Sequence, residues 1–336
     1  MKFFKKNIAT QQPEAIQVRR FTLKQTIAAV GALMLSVMAI AYAATAGFNA
    51  GDIISGATVD NRFLALEKSV NDLKLTGMRN VIIDGGFTIN QRGYVSAAPL
   101  LAGVYGHDRW KAGASGGDYS FTQRASGTTI AIAAGKSLIQ VVEDKNVAYT
   151  NYVLSWTGNA KARIGVNSAT PNVADAYAVS PILITGQVAG KTMSVEFNEG
   201  TLTNVQLENG TVATPFEFRF NGAELALCQR YYEVAETGFV TGYTGLLVTA
   251  SLARFGFTFK VTKRAIPALI AIPANINVNY VTGNVAATSA TLSGGAGVGS
   301  IQGASVEIGV AGTPFVAGNA CSVGVTLSGL AFSSEL

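Results

Sequence analysis

TNVQLENGTVATPFEFRFNGAELALCQRYY, residues Thr203–Tyr232, changes its periodicity twice in one short stretch. In Thr203–Glu208 the apolar Val205 and Leu207 alternate with polar residues, the period of a strand. In Val212–Asn221, Pro215 forces an extended approach at Thr214, so this piece reads as the link out of the β-domain. GAELALCQRYYE then places Leu225, Cys228 and Tyr232 on one face, which predicts one or two helical turns. A β-domain ends here and a second domain begins, and at ~100–200 residues per domain a chain of 336 holds both.

Upstream, beyond Arg79, short alternating runs are separated by Gly, Asn and Ser. They predict strands at Tyr119–Gln123, Thr128–Ala133, Ser137–Val142, Tyr152–Thr157, Ala162–Val166, Ile182–Thr185, Met193–Phe197 and Thr203–Glu208, the pattern of a β-sandwich. The first and last strands of such a fold commonly lie side by side, which would join the segments around Val81 and Gln206. Downstream, Phe255, Phe257, Phe259 and Val261 alternate with Arg254, Gly256, Thr258 and Lys260, so Arg254–Val261 reads as a strand with one buried face. Ile276–Val281, Ser305–Ile308 and Cys321–Leu327 are further strands. Gly283–Ser300, rich in Ala, Ser, Thr and Gly, reads as a long loop or a weakly paired edge hairpin, and equally as a contact surface or a plain connector.

Charged residues are 13% of the chain, about half of the ~25% usual in soluble proteins, and there are 37 glycines, so small uncharged residues cover much of the surface. The net charge of +5 is concentrated in residues 1–24, where Lys2, Lys5, Lys6, Arg19, Arg20 and Lys24 stand against Glu14. The remainder is formally neutral, and without a basic face on the folded part there is nothing to hold a nucleic-acid backbone.

Residues 25–47 carry no charge, and Ile27–Gly47 is long enough as a helix to cross a ~30 Å hydrocarbon core. The basic residues before it would stay cytoplasmic. This stretch is expected to be a retained transmembrane anchor, or an export signal with Ala41 and Ala43 placed for cleavage before Ala44; the bland reading is a buried helix of a soluble domain. Arg19–Lys24 resembles a twin-arginine signal, with Val18 where that motif usually has Ser or Thr and Thr22 in place of its Phe. In the following 48–78, Val59, Phe63, Leu66, Val70 and Leu73 step by four, three, four and three, the a/d seam of a coiled coil. Two heptads are marginal alone, so the seam would register an oligomer that other parts also hold, unless the helix packs on its own domain.

Chemistry is sparse. His107 is the only histidine, which leaves no His-x-x-x-His pair, and Cys228 and Cys321 fall short of a four-cysteine zinc site, so no metal or cofactor is expected. The two cysteines would pair in an exported chain, or Cys228 is a buried free thiol. His107 is followed at once by Asp108, and sequence neighbours do not normally form a catalytic triad. Gly294–Ser300 lacks the Lys of a phosphate loop. The visible carboxylate pairs, Glu143 with Asp144 and Glu196 with Glu199, fall at strand ends or turns, where solvated charge is the ordinary reading. Sugar binding asks for flat rings and planar polar groups. The chosen ligand-binding residues are Tyr152 and Trp156, on one strand with Val153 facing the other way, together with Tyr231, Tyr232 and Tyr243. Tyr94, Tyr105, Tyr119 and Tyr280 are further candidates, and core packing is the alternative for each ring.

Val81–Gly93 (VIIDGGFTINQRG), His107–Trp110 (HDRW) and Thr203–Tyr232 together resemble the jelly-roll modules of phage tail-fibre and receptor-binding proteins, which are similar in fold to carbohydrate-binding modules. The resemblance covers roughly Asn80–Tyr232. Together with the leader and seam read above, it gives an expected mainly β chain: basic cytoplasmic segment 1–24, transmembrane or signal helix 25–47, coiled-coil neck 48–78, jelly-roll β-sandwich 79–220 and a second β-domain 221–336, although a tail fibre assembled in the cytoplasm has no use for an export signal. It makes Asp108, Arg109, Trp110, Gln206 and Glu208 structural, with Trp110 in the core and Asp108 or Arg109 tying a loop. It also implies a non-enzymatic adhesin that recognises a cell-surface glycan as a homotrimer. The leader would then put the β-domains outside the cytoplasm, on a virion or a bacterial surface. The alternatives are a structural trimerisation or attachment module without its own ligand, and a polysaccharide-degrading enzyme.

Overall fold

Alternation becomes strand almost wherever it occurs. The computed structural model describes residues 78–124, 127–235, 243–272, 275–293, 299–325 and 330–336; the expected basic segment, apolar helix and all of the neck but Met78 lie outside them. The first part holds nine strands: β1 Lys111–Ala112, β2 Tyr119–Arg124, β3 Gly127–Ile132, β4 Leu138–Val142, β5 Tyr152–Thr157, β6 Ala162–Gly165, β7 Ile182–Ile184, β8 Met193–Phe197 and β9 Gly200–Asn209. They form two antiparallel sheets, β1-β4-β8-β6 and β2-β3-β9-β5-β7. Leu138, Val142, Met193 and Phe197 of one sheet and Ile130, Tyr152, Leu154 and Leu207 of the other share one core, each fully buried Leu or Phe contributing about 1.5–3 kcal/mol.

The two ends of this unit do meet. Val81 N–H donates to the Leu207 carbonyl at 2.9 Å, and Val205 N–H to that of Gly85 at 2.9 Å. The Asn80 side chain fills the gap, donating to Val205 O and accepting from Leu207 N–H. A Cβ on Gly85 would stand 2.1 Å from the Val205 oxygen, so only glycine permits this approach.

Residues 213–220 do not leave as a free link. They lie along β9 as a strap and end in helix α1, Asn221–Gln229. The helix is longer than one or two turns but excludes Tyr232, which opens β10 (Tyr232–Val234) and so does not share the helical face with Leu225 and Cys228.

The second part comprises β11 Tyr243–Thr249, β12 Leu252–Thr258, β13 Ala268–Ala271, β14 Ile276–Tyr280, β15 Gly283–Leu292, β16 Gly303–Val310, β17 Ala320–Val325 and β18 Leu330–Ser333. Six of them close a barrel in the order β11-β12-β16-β15-β14-β17, and β10-β18-β13 form a small sheet beside it. In β12, Ala253, Phe255 and Phe257 point inward and Arg254, Gly256 and Thr258 outward. Phe332 of β18 stacks on Phe257 at 4.7 Å, joining the small sheet to the barrel core.

The expected loop or edge hairpin at Gly283–Ser300 is corrected for most of its length. Gly283–Leu292 is β15, paired with β14 on one side and β16 on the other. In a closed barrel a strand has no edge to expose and needs apolar residues only where it points inward. Ala287 and Leu292 meet that need, so small polar residues suffice elsewhere. No helix among the described residues is long and apolar enough to cross a membrane.

Candidate functional site

The HDRW turn sends its side chains in opposite directions. Arg109 sits at φ +70°, a left-handed conformation that is uncommon outside glycine and turns consecutive side chains apart. Trp110 drops into the sandwich core, its indole N–H donating to the Asp84 carbonyl at 3.0 Å and its ring stacked on Phe87 at 4.8 Å. Arg109 goes the other way, out of that core and into the junction with the second part. There its guanidinium lies 3.7 Å over the Tyr231 ring, donates to Val141 O at 2.6 Å and pairs with Glu335.

A second arginine repeats the arrangement. Arg92 lies 3.7 Å over Tyr232 and 4.9 Å over Tyr105, and pairs with Glu335 at 2.9 Å and Asp108 at 3.5 Å. Asp108 also accepts from the Gln91 N–H at 3.0 Å and from the Gln91 side chain. A third pair closes the flank: Glu143 accepts from Arg230 at 2.8 and 3.1 Å and from the Tyr231 hydroxyl at 2.6 Å. Planar guanidinium groups suit this role because they stack on rings and donate sideways at once.

Burial and pairing set the charges. Burial outweighs the Arg92 and Gln91 contacts and pushes Asp108 up to about 6. Burial also raises Glu143, but the hydrogen bonds from Arg230 and Tyr231 overcome it and hold the carboxyl below its usual range. Desolvation would lower Arg109, yet Glu335 and the surrounding tyrosines keep it raised. His107 is pulled down to about 4 by burial, so it is a neutral ring, with Nδ1 2.7 Å from the Tyr119 hydroxyl. Asp84 is fully enclosed and pushed well up by burial; Oδ1 accepts from Thr88 and Ile89 N–H while Oδ2 has no hydrogen-bond partner.

Four of the rings expected as ligand platforms, Tyr152, Trp156, Tyr231 and Tyr232, are corrected by their burial, since a stacking ring must offer a face to solvent. Tyr152 and Trp156 share a face of β5 as expected from alternation, but that face is the core. The Tyr152 hydroxyl accepts from Ala148 and Tyr149 N–H, and the Trp156 indole donates to Ala160 O at 2.8 Å. Tyr231 and Tyr232 lie under the two arginines. Tyr243 is half-buried and stacked on Phe255 at 5.4 Å. Among the secondary candidates Tyr119 is buried, Tyr94 packs 4.4 Å from it, Tyr105 belongs to the Arg92 site and Tyr280 packs edge-on against Phe315 at 5.3 Å.

Neither expected carboxylate pair is brought together as a site. Glu143 belongs to Arg230 while Asp144 is exposed. Glu196 pairs with Arg163 at 2.7 Å and accepts from the Ser137 hydroxyl, whereas Glu199 accepts from Gly135 N–H. Cys228 and Cys321 are both free thiols, buried in separate clusters.

Gln206 and Glu208 hold the strap against β9. Glu208 accepts from the Thr214 N–H at 2.8 Å and its hydroxyl at 2.6 Å, and Gln206 Oε1 accepts from Glu217 N–H at 2.7 Å. The strap is inverted with respect to ordinary amphipathy. Glu217 and Arg219 turn inward: Glu217 receives the N–H groups of Met78, Arg79 and Asn80, and Arg219 pairs with Glu224 at 3.0 Å. Phe218 and Phe220 point to solvent, 67% and 81% exposed. Glu335, Arg92 and this aromatic pair escape a sequence reading, and Glu143 is found there only as half of a carboxylate pair. Periodicity says that PFEFRF alternates and is silent on which side faces water.

No family model matches the chain, and no curated protein matches it.

Proposed function

We propose that the chain is a non-enzymatic attachment protein of the phage tail-fibre kind. In this reading a jelly-roll module (79–220) and a barrel module (221–336) form one stiff body, displayed outside the cytoplasm as a homotrimer behind the apolar stretch 25–47 and the neck 48–78. The observation that supports it is the use made of charge and aromatic surface. Arg92, Arg109, Asp108, Glu143, Tyr231, Tyr232 and Glu335 all serve to lock the modules together. A glycosidase needs one carboxyl free to give up its proton and a second nearby. Glu143 and Glu196 are instead each committed to an arginine.

The expected result for the full-length chain on a glycan array is no binding, with no release of reducing ends from polysaccharide. A second reading, an adhesin for a cell-surface glycan, is favoured by one place. Tyr149 is 54% exposed in a loop with exposed Asn146, Thr150 and Asn151, a ring flanked by planar amides. Array binding that disappears in Tyr149→Ala would replace the attachment reading with this one.

A further inference from the structure

We infer that the outer face of the strap, taken with its flanks as residues 211–223, is a contact between copies of this chain, centred on Phe218 and Phe220. The inference deepens the attachment reading and rests on its oligomer. Exposed members of the strap are Thr211, Val212, Pro215, Phe218, Phe220 and the run 221–223; none of them is charged. Its two charged side chains, Glu217 and Arg219, are turned inward and engaged with each other and, through Arg219, with Glu224 of α1. The two rings meet edge to face at 6.4 Å, and a Cβ on Gly222 would find open space. An aromatic, charge-free patch beside small residues has the composition of an interface core and lets a neighbouring backbone approach closely.

The position of the strap selects a second copy as its occupant. Met78, the first of the described residues, donates its N–H at 2.8 Å to Glu217, the residue between Phe216 and Phe218. The a/d seam ends at Leu73, and the five residues from there to Met78 span at most about 18 Å. Copies gathered by the seam therefore bring their straps together at the same end, at the millimolar effective concentration of a short tether. Two heptads need such a reinforcement, because helices of that length are marginal alone.

The test uses the full-length chain, in detergent if it stays with membranes, and reads its mass against dilution by analytical ultracentrifugation. Phe218→Ser/Phe220→Ser is expected to dissociate at a concentration at least tenfold higher than wild type, with an unchanged near-ultraviolet circular dichroism spectrum. Ala223→Cys is expected to form an intermolecular disulfide under mild oxidation, while Val281→Cys, on an exposed position of the barrel, is not. An oligomer whose dissociation the double variant leaves unchanged, and which Ala223→Cys does not cross-link, overturns the inference, keeps the attachment reading and gives the rings to another partner. A wild-type monomer at all concentrations overturns both.

Discussion

The module junction and the barrel interior are both buried, but they are held by opposite means. Inside the barrel, Leu247, Phe255, Ile276, Val306, Ile308 and Val323 meet in one apolar cluster, and a buried ion pair against it, Lys263 with Glu233, sits at its margin with Lys263 Nζ 4.9 Å over the Phe259 ring. At the junction two guanidinium groups stand on tyrosine rings and share one carboxylate, Glu335. Apolar burial is tolerant of detail and strong per unit area, whereas buried ion pairs add little net stability yet are costly to leave half made. The barrel is thus specified by pattern and the junction by partner identity, which fixes how one module is set on the other.

The comparison breaks most sharply at Arg109. Arg109→Met is expected to lower stability in urea by about 3–5 kcal/mol, because Glu335 stays buried with one partner fewer, and Arg109→Met/Glu335→Met is expected to regain at least half of that. A single variant costing under about 1 kcal/mol would remove the junction's ionic character from the account. Ile308→Ala in the barrel is expected to cost about 2–5 kcal/mol with no charged second site able to repair it.

Acidity separates the two regions next. Asp108 is raised when folded to about 6, from an ordinary value of 3.8. Its contribution is complete below the unfolded value and is lost as pH rises through the folded one, so it weakens the fold between about pH 4 and 6. Asp108→Asn should flatten that part of the wild-type stability profile, by a difference on the order of a few kcal/mol; Ile308→Ala should shift the whole profile without changing its slope. Glu143 runs in the opposite sense, its contribution being present above its unfolded value and lost in acid. The smallest effect lies outside both interiors. Arg254→Ala breaks an exposed pair with Glu307 and is expected to leave the urea midpoint where it is.

What was legible in the sequence follows the same division. β5 and β8 have the bounds that alternation predicts, and the Val81 and Val205 segments lie together as expected, because a strand's pattern is local and its burial repeats every second residue. β15 was hidden because closure supplies its partners, and closure is not written in the composition of one strand. Rings at Tyr152, Trp156, Tyr231 and Tyr232 have the same appearance in a sequence whether they stack on a sugar, on a neighbour or beneath an arginine. Glu335 lies 226 positions from Arg109, and no spacing rule reaches that far.

That distance has a consequence for the order in which the protein is made. Arg92, Asp108 and Arg109 emerge early in synthesis, while Glu335 emerges only after the barrel strands. The Leu336 carbonyl oxygen, which accepts from the Tyr105 hydroxyl at 2.6 Å and Lys111 Nζ at 2.9 Å, comes later still. A nascent sandwich therefore has Asp108 to pair with Arg92 but no carboxylate for Arg109 until Glu335 is made. The junction is therefore closed only after both modules have been made, because without Glu335 the buried Arg109 guanidinium is left without its carboxylate.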